Sequence, residues 1–210
     1  MFKYRDVFNL KLLDNVETIK PFDLPVLKAV QEIPKQIVAF NFANSYSDPE
    51  NAFVHFYIDD YQFERLWNRP EYYAKVLGRF KGVIAPDYST YTNMPVAQQI
   101  FQVYKSRLIG AYLASLGITV IPNISWSDEK SLDWSLAGIP THSVVALSTN
   151  GVLNSKVKQN FINYYKKAMA ELEPTAIVIV GEVPEEIASD KIIQFNNHIN
   201  SLRKIKKEIQ

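Results

Sequence analysis

The sequence predicts an α/β protein built on a mainly parallel sheet, and three observations carry that prediction. Short apolar runs of strand length alternate with longer stretches of helical spacing. The short runs are apolar on consecutive positions, as in sheets covered on both faces. Polar loops follow nearly every run at its carboxyl end. The expectation is a six-stranded sheet with flanking helices, either doubly wound or a partial, barrel-like (β/α) arrangement. Six strands fall short of the eight of a closed (β/α) barrel.

The elements follow in order. Residues 1–33 are the least regular and are expected to pack as an N-terminal cap. Residues 37–43 (IVAFNFA) form the first strand and 53–58 (FVHFYI) the second, ending in Asp59 and Asp60. From 61 to 80 the spacing is helical, and Pro70 divides it into two pieces, the second opening on that proline. Residues 82–86 (GVIAP) form the third strand, and 87–93 a polar loop. A helix opens at Pro95 and runs to about Leu116, with Gly117 placed for a left-handed end. The fourth strand is 118–124 (ITVIPNI), and a short helix over 128–136 follows, with Ser127 as its cap and Gly138 as its end. Residues 143–147 are the fifth strand, and a helix from Ser155 to about Leu172 comes next. The sixth strand is 176–180 and the last helix spans 189–207. The division expected is one domain over 1–210: a cap at 1–33, a βα core at 34–188 and a C-terminal helical segment at 189–210. Neither an internal repeat nor a Gly/Ser linker breaks it.

Composition removes several function classes. The chain has 210 residues and is 47% hydrophobic, enough apolar material for a core without staples. It contains no cysteine, which excludes disulfides, thiolate zinc sites and cysteine nucleophiles. No apolar run approaches the ~20 residues of a membrane span, and the N-terminus lacks a signal-peptide pattern. A cytoplasmic protein without a membrane partner is expected. Net charge is +1, so no global field draws the protein to nucleic acid. The one basic run, Arg203-Lys204-Ile205-Lys206-Lys207, reads as a solvated helix end. Glycine-rich phosphate loops of the GxGxxG and Walker types and the GxSxG elbow are absent. His55 reads as a packed strand histidine, His142 as lying at the far end from any site, and His198 as helical. None has metal-ligand spacing.

In parallel α/β folds ligands bind at the carboxyl ends of the strands. Those ends offer Asp60 and Asp87 as candidate catalytic carboxyls, able to act as acid and base or to ligate Mg²⁺ through oxygen. Tyr88 and Trp126 can stack on a ring, and Asn123 and Glu182 add polar groups. Ser148, Asn150 and Gly151 precede a helix, a place for an anion. Acids in such loops also cap helices and close turns, and Asp60 and Asp128 each stand before a helix. Asp87 stands between a strand and a long loop, where capping explains it least.

Three runs carry a resemblance: FYIDDYQFERLW at 56–67, GVIAPDYS at 82–89 and GITVIPNISW at 117–126. They resemble the uncharacterised domain family numbered forty-four seventeen, found in bacteria and frequent in phages and mobile elements. The similarity runs from about residue 53 to 181. The family has no established activity, so the resemblance implies a phage or mobile-element origin and no mechanism. Where related sequences carry a histidine in the Ser-Thr-x-Gly loop, this chain has Asn150. Two functional expectations stand: a binder of, or enzyme acting on, a nucleotide, sugar or phosphate-bearing small molecule, and a phage accessory protein that binds a host protein.

Overall fold

Residues 6–152 and 155–196 are described by the structure, a computed structural model. The N-terminal portion begins with a 3-10 turn, Leu10–Leu13, and a small antiparallel pair, β1 (Thr18–Ile19) and β2 (Leu24–Pro25). Four parallel strands then form one sheet in chain order: β3 (Gln36–Ala39), β4 (Ala52–His55), β5 (Gly82–Ile84) and β6 (Thr119–Ile121). Three more form a second parallel sheet: β7 (Val144–Ser148), β8 (Ala176–Val180) and β9 (Ile192–Phe195). The five α-helices of the described residues are α1 (Asp60–Asn68), α2 (Pro70–Leu77), α3 (Val96–Ser115), α4 (Leu132–Ser135) and α5 (Ser155–Leu172).

The expected single six-stranded sheet is therefore corrected to sheets of four and three parallel strands. They meet at one parallel bridge, Asn123 to Ala146. The Ala146 amide donates to the Pro122 carbonyl at 2.8 Å, and the Ile124 amide donates back to the Ala146 carbonyl at 2.8 Å. The chain just past β6 thus carries the pairing from one sheet to the other. The strand order runs without reversal across both, whereas a doubly wound sheet reverses at its switch point.

The seventh strand is β9, in a stretch expected to be helix. Ile192-Ile193-Gln194-Phe195 is a short apolar run whose β-branched pair suits a pleated surface, and it pairs with β8 through Val178 and Ile193. So short a run looks alike in both readings, and it merges with the helical spacing beyond it. Residues 197–207 of the expected helix, with His198 and the basic run, lie outside the described residues, as do residues 1–5 of the cap.

The first strand, expected over 37–43, ends at Ala39 and turns into a 3-10 helix over Phe40–Phe42, while the pattern held closely at several other elements. Pro70 opens α2, α3 ends before Gly117 at φ +83, and α5 and β8 have the expected limits. The short fourth helix shrinks to α4. The turn before it is held by side chains: Asp128 Oδ1 accepts the Ser131 amide at 2.9 Å, and Ser131 Oγ donates to the Asp128 carbonyl at 2.7 Å.

Two cores result. The larger joins Val54, Val83, Val120 and Ile177 of the strands to Phe63, Leu66, Leu108 and Phe161 of the helices. The smaller holds Phe53, Tyr57, Ile84, Ile121, Ala146 and Val178, with Val30, Ile37, Ile193 and Phe195 packed on it. It contains no helical residue, so the second face of the strands is covered by strands and by the segment around Val30. There the Val144 amide donates to the Val30 carbonyl at 2.8 Å. Gly82 lies opposite Phe53, and a Cβ on it would fall 2.2 Å from the Phe53 ring, so only glycine fits. Among the described residues no helix is long and apolar enough to cross a membrane.

Candidate functional site

Successive side chains of a strand alternate between its faces. Phe53, His55 and Tyr57 therefore share the inner face, which places His55 and Tyr57 at the carboxyl end of β4. The imidazole packs against the phenol ring, centroids 5.7 Å apart, and its Nδ1 accepts the Tyr57 amide at 3.3 Å. On β6 the same alternation, counted from Ile121, brings Asn123 to that face.

These ends meet in a polar chain across three strands. The Tyr57 hydroxyl donates to Asn123 Oδ1 at 2.9 Å, and Asn123 Nδ2 donates to Asp87 Oδ1 at 2.8 Å. The chain has one polarity: the phenol is a donor, so the amide presents its own N–H to the carboxyl. Burial pushes Asp87 up to about 7. The Asn123 amide works against that rise and the charge of Asp60 adds to it. Burial, with the Asp87 charge, holds the Tyr57 phenol well above its ordinary value. The outcome is a carboxyl poised to gain or lose a proton near neutral pH.

Asp60 is the first residue of α1 and stands close enough to act on Asp87, but it is occupied. It accepts Ser89 Oγ at 2.8 Å on Oδ1 and the Ser89 amide at 3.1 Å on Oδ2. It pins the loop after β5 to α1 and makes no cap bond.

Helix α3 backs the site. Gln102 donates to the Ser89 carbonyl at 3.3 Å, Ser106 Oγ to the Pro86 carbonyl at 2.6 Å, and Arg107 Nη1 to the Asn123 carbonyl at 3.0 Å. The sequence reading assigned no polar role to this helix and named none of the three. The available signal was Gln102 and the polar trio Lys105-Ser106-Arg107 in the middle of the helix.

The other candidates separate. The Tyr88 ring is buried on the helix side, with Lys105 Nζ 3.9 Å from its centroid, and Lys105 is paired to Glu64 at 2.9 Å. Trp126 packs on Phe161 of α5, ring centroids 5.4 Å apart. Ser148 Oγ donates to the Val180 carbonyl at 3.1 Å and accepts the Asn150 amide at 3.1 Å. Asn150, Gly151 and Glu182 are exposed at the same edge. His142 lies at the amino end of β7, 3.6 Å from Glu173. Among the described residues no group of three or more His, Asp or Glu is placed to hold a metal ion. Two surface depressions, about 650 and 400 Å³, involve the amino ends of strands. The first includes Thr175 and Lys191, the second Ile118 and Thr119, so both lie away from Asp87.

A family model described as a domain of unknown function, DUF4417, matches residues 16–197. The chain belongs to that family. It is 35% identical over 184 residues to the Gene 1 protein of Mycobacterium phage L5, covering 85% of this chain and 78% of the relative. It is 34% identical over 159 residues to the Gene 1 protein of Mycobacterium phage D29, covering 73% of this chain and 57% of that relative. No solved structure matches. The family assignment agrees with the resemblance read from the three sequence runs, and the relatives are phage proteins.

Proposed function

We propose that the carboxyl edge of β4–β6 binds a small hydroxyl-bearing molecule and that Asp87 exchanges a proton with it, whether the protein is a binder or an enzyme. The observation that supports this is the Tyr57–Asn123–Asp87 chain, drawn from three strands and ending on one carboxyl oxygen of a group that titrates near 7. The reading takes the two sheets as a partial barrel with this network at its mouth, consistent with the unreversed strand order and the strand-only inner core. Of the ligand classes expected, a sugar or nucleoside suits the site better than a phosphate. Ser148 and the Asn150 amide already bond each other, and Arg107 gives both Nη groups to main-chain carbonyls. The phage relatives support a phage origin, and we place the protein's action in the host cytoplasm.

The test is thermal unfolding with a panel of free sugars, nucleosides, sugar phosphates and inorganic phosphate, at pH 6 and pH 8. A ligand that binds only the folded state raises apparent stability by mass action. A sugar or nucleoside is expected to stabilise the wild type and to have no effect on folded Asp87→Asn, with inorganic phosphate inert on both. Equal responses from the two proteins would remove Asp87 from the site.

A second reading, a host-protein binder, draws on the same edge. Phe42 is 55%, Tyr61 78% and Tyr91 58% exposed, and each follows the carboxyl end of a different strand. Exposed aromatics of this kind suit a protein interface. A stoichiometric host partner retained by Asp87→Asn and lost on truncating Tyr61 and Tyr91 would favour it.

A further inference from the structure

Arg107 is 2% exposed, and no described carboxylate forms an ion pair with it. Burial pulls its guanidinium down to about 9, which still leaves it charged at neutral pH. An unpaired buried charge is unfavourable, and an apolar side chain of similar volume would fill the same space without that penalty. What a guanidinium offers instead is a rigid planar fork of N–H donors.

The fork is used on two separate segments. Nη1 donates to the carbonyl of Asn123 at 3.0 Å, and Nη2 donates to the carbonyl of Ser135, the last residue of α4. Among the described residues Nε has no partner. Asn123 is also the residue that bridges the two sheets and whose amide lies between Tyr57 and Asp87. Its main chain has already left the β5–β6 ladder, which ends at Ile121. The bridge to Ala146 holds the peptides on either side through the Pro122 carbonyl and the Ile124 amide, and the arginine adds the one side-chain bond to the Asn123 carbonyl itself.

We infer that Arg107 is the positioning residue of this site: it grips the Asn123 main chain against α4 and so aims the Asn123 amide at Asp87. The inference rests on Asp87 being the functional group, but it can be tested without any ligand. If the grip is lost, Asn123 shifts, and a bond of 2.8 Å is lost or weakened by a displacement of an ångström or less. Asp87 then loses the donor that favours its charged form, and its titration midpoint rises. The other titratable groups that act on Asp87 are Asp60 from α1 and Tyr57 from the end of β4, with His55 beside Tyr57. None of them is altered in the variants below.

The experiment is a carbon-13 NMR titration of the aspartate side-chain carboxyls in wild type, Asn123→Ala, Arg107→Lys and Arg107→Met, each also melted to confirm cooperative folding. Asn123→Ala is expected to raise the Asp87 midpoint by about one unit by removing the donor itself. Arg107→Lys and Arg107→Met are expected to raise it by a similar amount, because a lysine keeps the charge and loses the fork. If Arg107→Met does not fold, Arg107→Gln takes its place. Two results overturn the inference. One is an Asp87 midpoint within ~0.3 unit of wild type in both folded Arg107 variants, which leaves the arginine a purely structural role. The other is a wild-type midpoint in Arg107→Lys alone, which makes charge rather than placement the cause. Neither result depends on the ligand panel. A panel in which nothing binds fails the functional reading alone.

Discussion

The carboxyl ends of β4–β6 and those of β7–β8 share one edge and are finished differently. In the first region polar groups reach across strands: Tyr57 to Asn123, Asn123 to Asp87, and Asp60 to Ser89 in the next loop. In the second they close on their own neighbourhood. Ser148 bonds the adjacent strand at Val180 and the amide two residues on, while the Thr149 side chain presses on Gly181. The first leaves a titratable carboxyl with hydrogen-bonding capacity to spare, and the second buries its spare hydroxyl, Thr149 Oγ1, without a partner among the described residues. An expected ligand edge thus contains one stretch organised for exchange with a ligand and one organised for packing. Polar composition alone does not separate them, since both loops are rich in Asn, Ser and Thr.

The largest expected effect tests the packed side of that contrast. Gly181 has φ +127, and a Cβ on it would lie 2.3 Å from Thr149 Oγ1. Gly181→Val combines backbone strain with overpacking and is expected to destabilise by about 4 kcal/mol in denaturant unfolding. A loss under ~1 kcal/mol would mean that this end is loosely built and open to ligand, which breaks the comparison.

The second prediction tests the exchanging side. The folded-state value of Asp87 is raised from 3.8 to about 7. Between those values the folded protein binds the proton and the unfolded chain does not. The Asp87 contribution is therefore fully present below about pH 4, falls as pH rises, and levels off above about 7. In wild type this lowers stability across the window by on the order of 2–4 kcal/mol, given 1.36 kcal/mol per unit and some relaxation around the charge. Asp87→Asn is expected to remove that decline. Unfolding free energies at pH 4.5, 6 and 7.5 for both proteins measure it, and parallel pH curves would show that Asp87 is no more buried than a surface carboxylate.

How much of this was legible in the sequence differs by level. Parallel strands, the Pro70 break, the Gly117 end and α5 were legible because each depends on a local pattern. Asp87 and Asn123 were legible as strand-end residues, since topology alone sends those to one edge. Tyr57 was not, because an apolar run gives no reason to single out its aromatic, although counting by twos from Phe53 puts it beside Asn123. The role of α3 was hidden for a different reason. The N-terminal segment, through Leu12, Leu24 and Leu27, covers the outer side of α3, so that helix is buried nearly all round. A helix covered on all sides loses the amphipathic stripe by which its polar residues could be told apart as inward or outward. The division into two sheets was missed as well. The bridge at Asn123 falls inside the run 118–124, and the local mark of the change of partner is Pro122, which has no N–H to give the β5–β6 ladder.

The smallest expected effect settles which occupant the open side serves. Tyr61 is 78% exposed in the first turn of α1, one residue beyond Asp60, and among the described residues its ring has no stacking or side-chain hydrogen-bond partner to anchor it. Tyr61→Ala is expected to change unfolding free energy by less than ~0.5 kcal/mol, as for surface positions free of special constraints. A loss above ~1 kcal/mol would show the ring to be part of the packing, and the rim would then resemble the Thr149–Gly181 side. With stability unchanged, the ring has no structural duty to explain it. Its effect on binding then separates the two readings. A small molecule held by Asp87 and Asn123 depends on the inner network, which Tyr61 does not touch, and its stabilisation of the protein should survive the truncation. A protein partner lying over the rim must cover Tyr61 and should be weakened, because a large exposed aromatic contributes mainly through the area it buries against a partner.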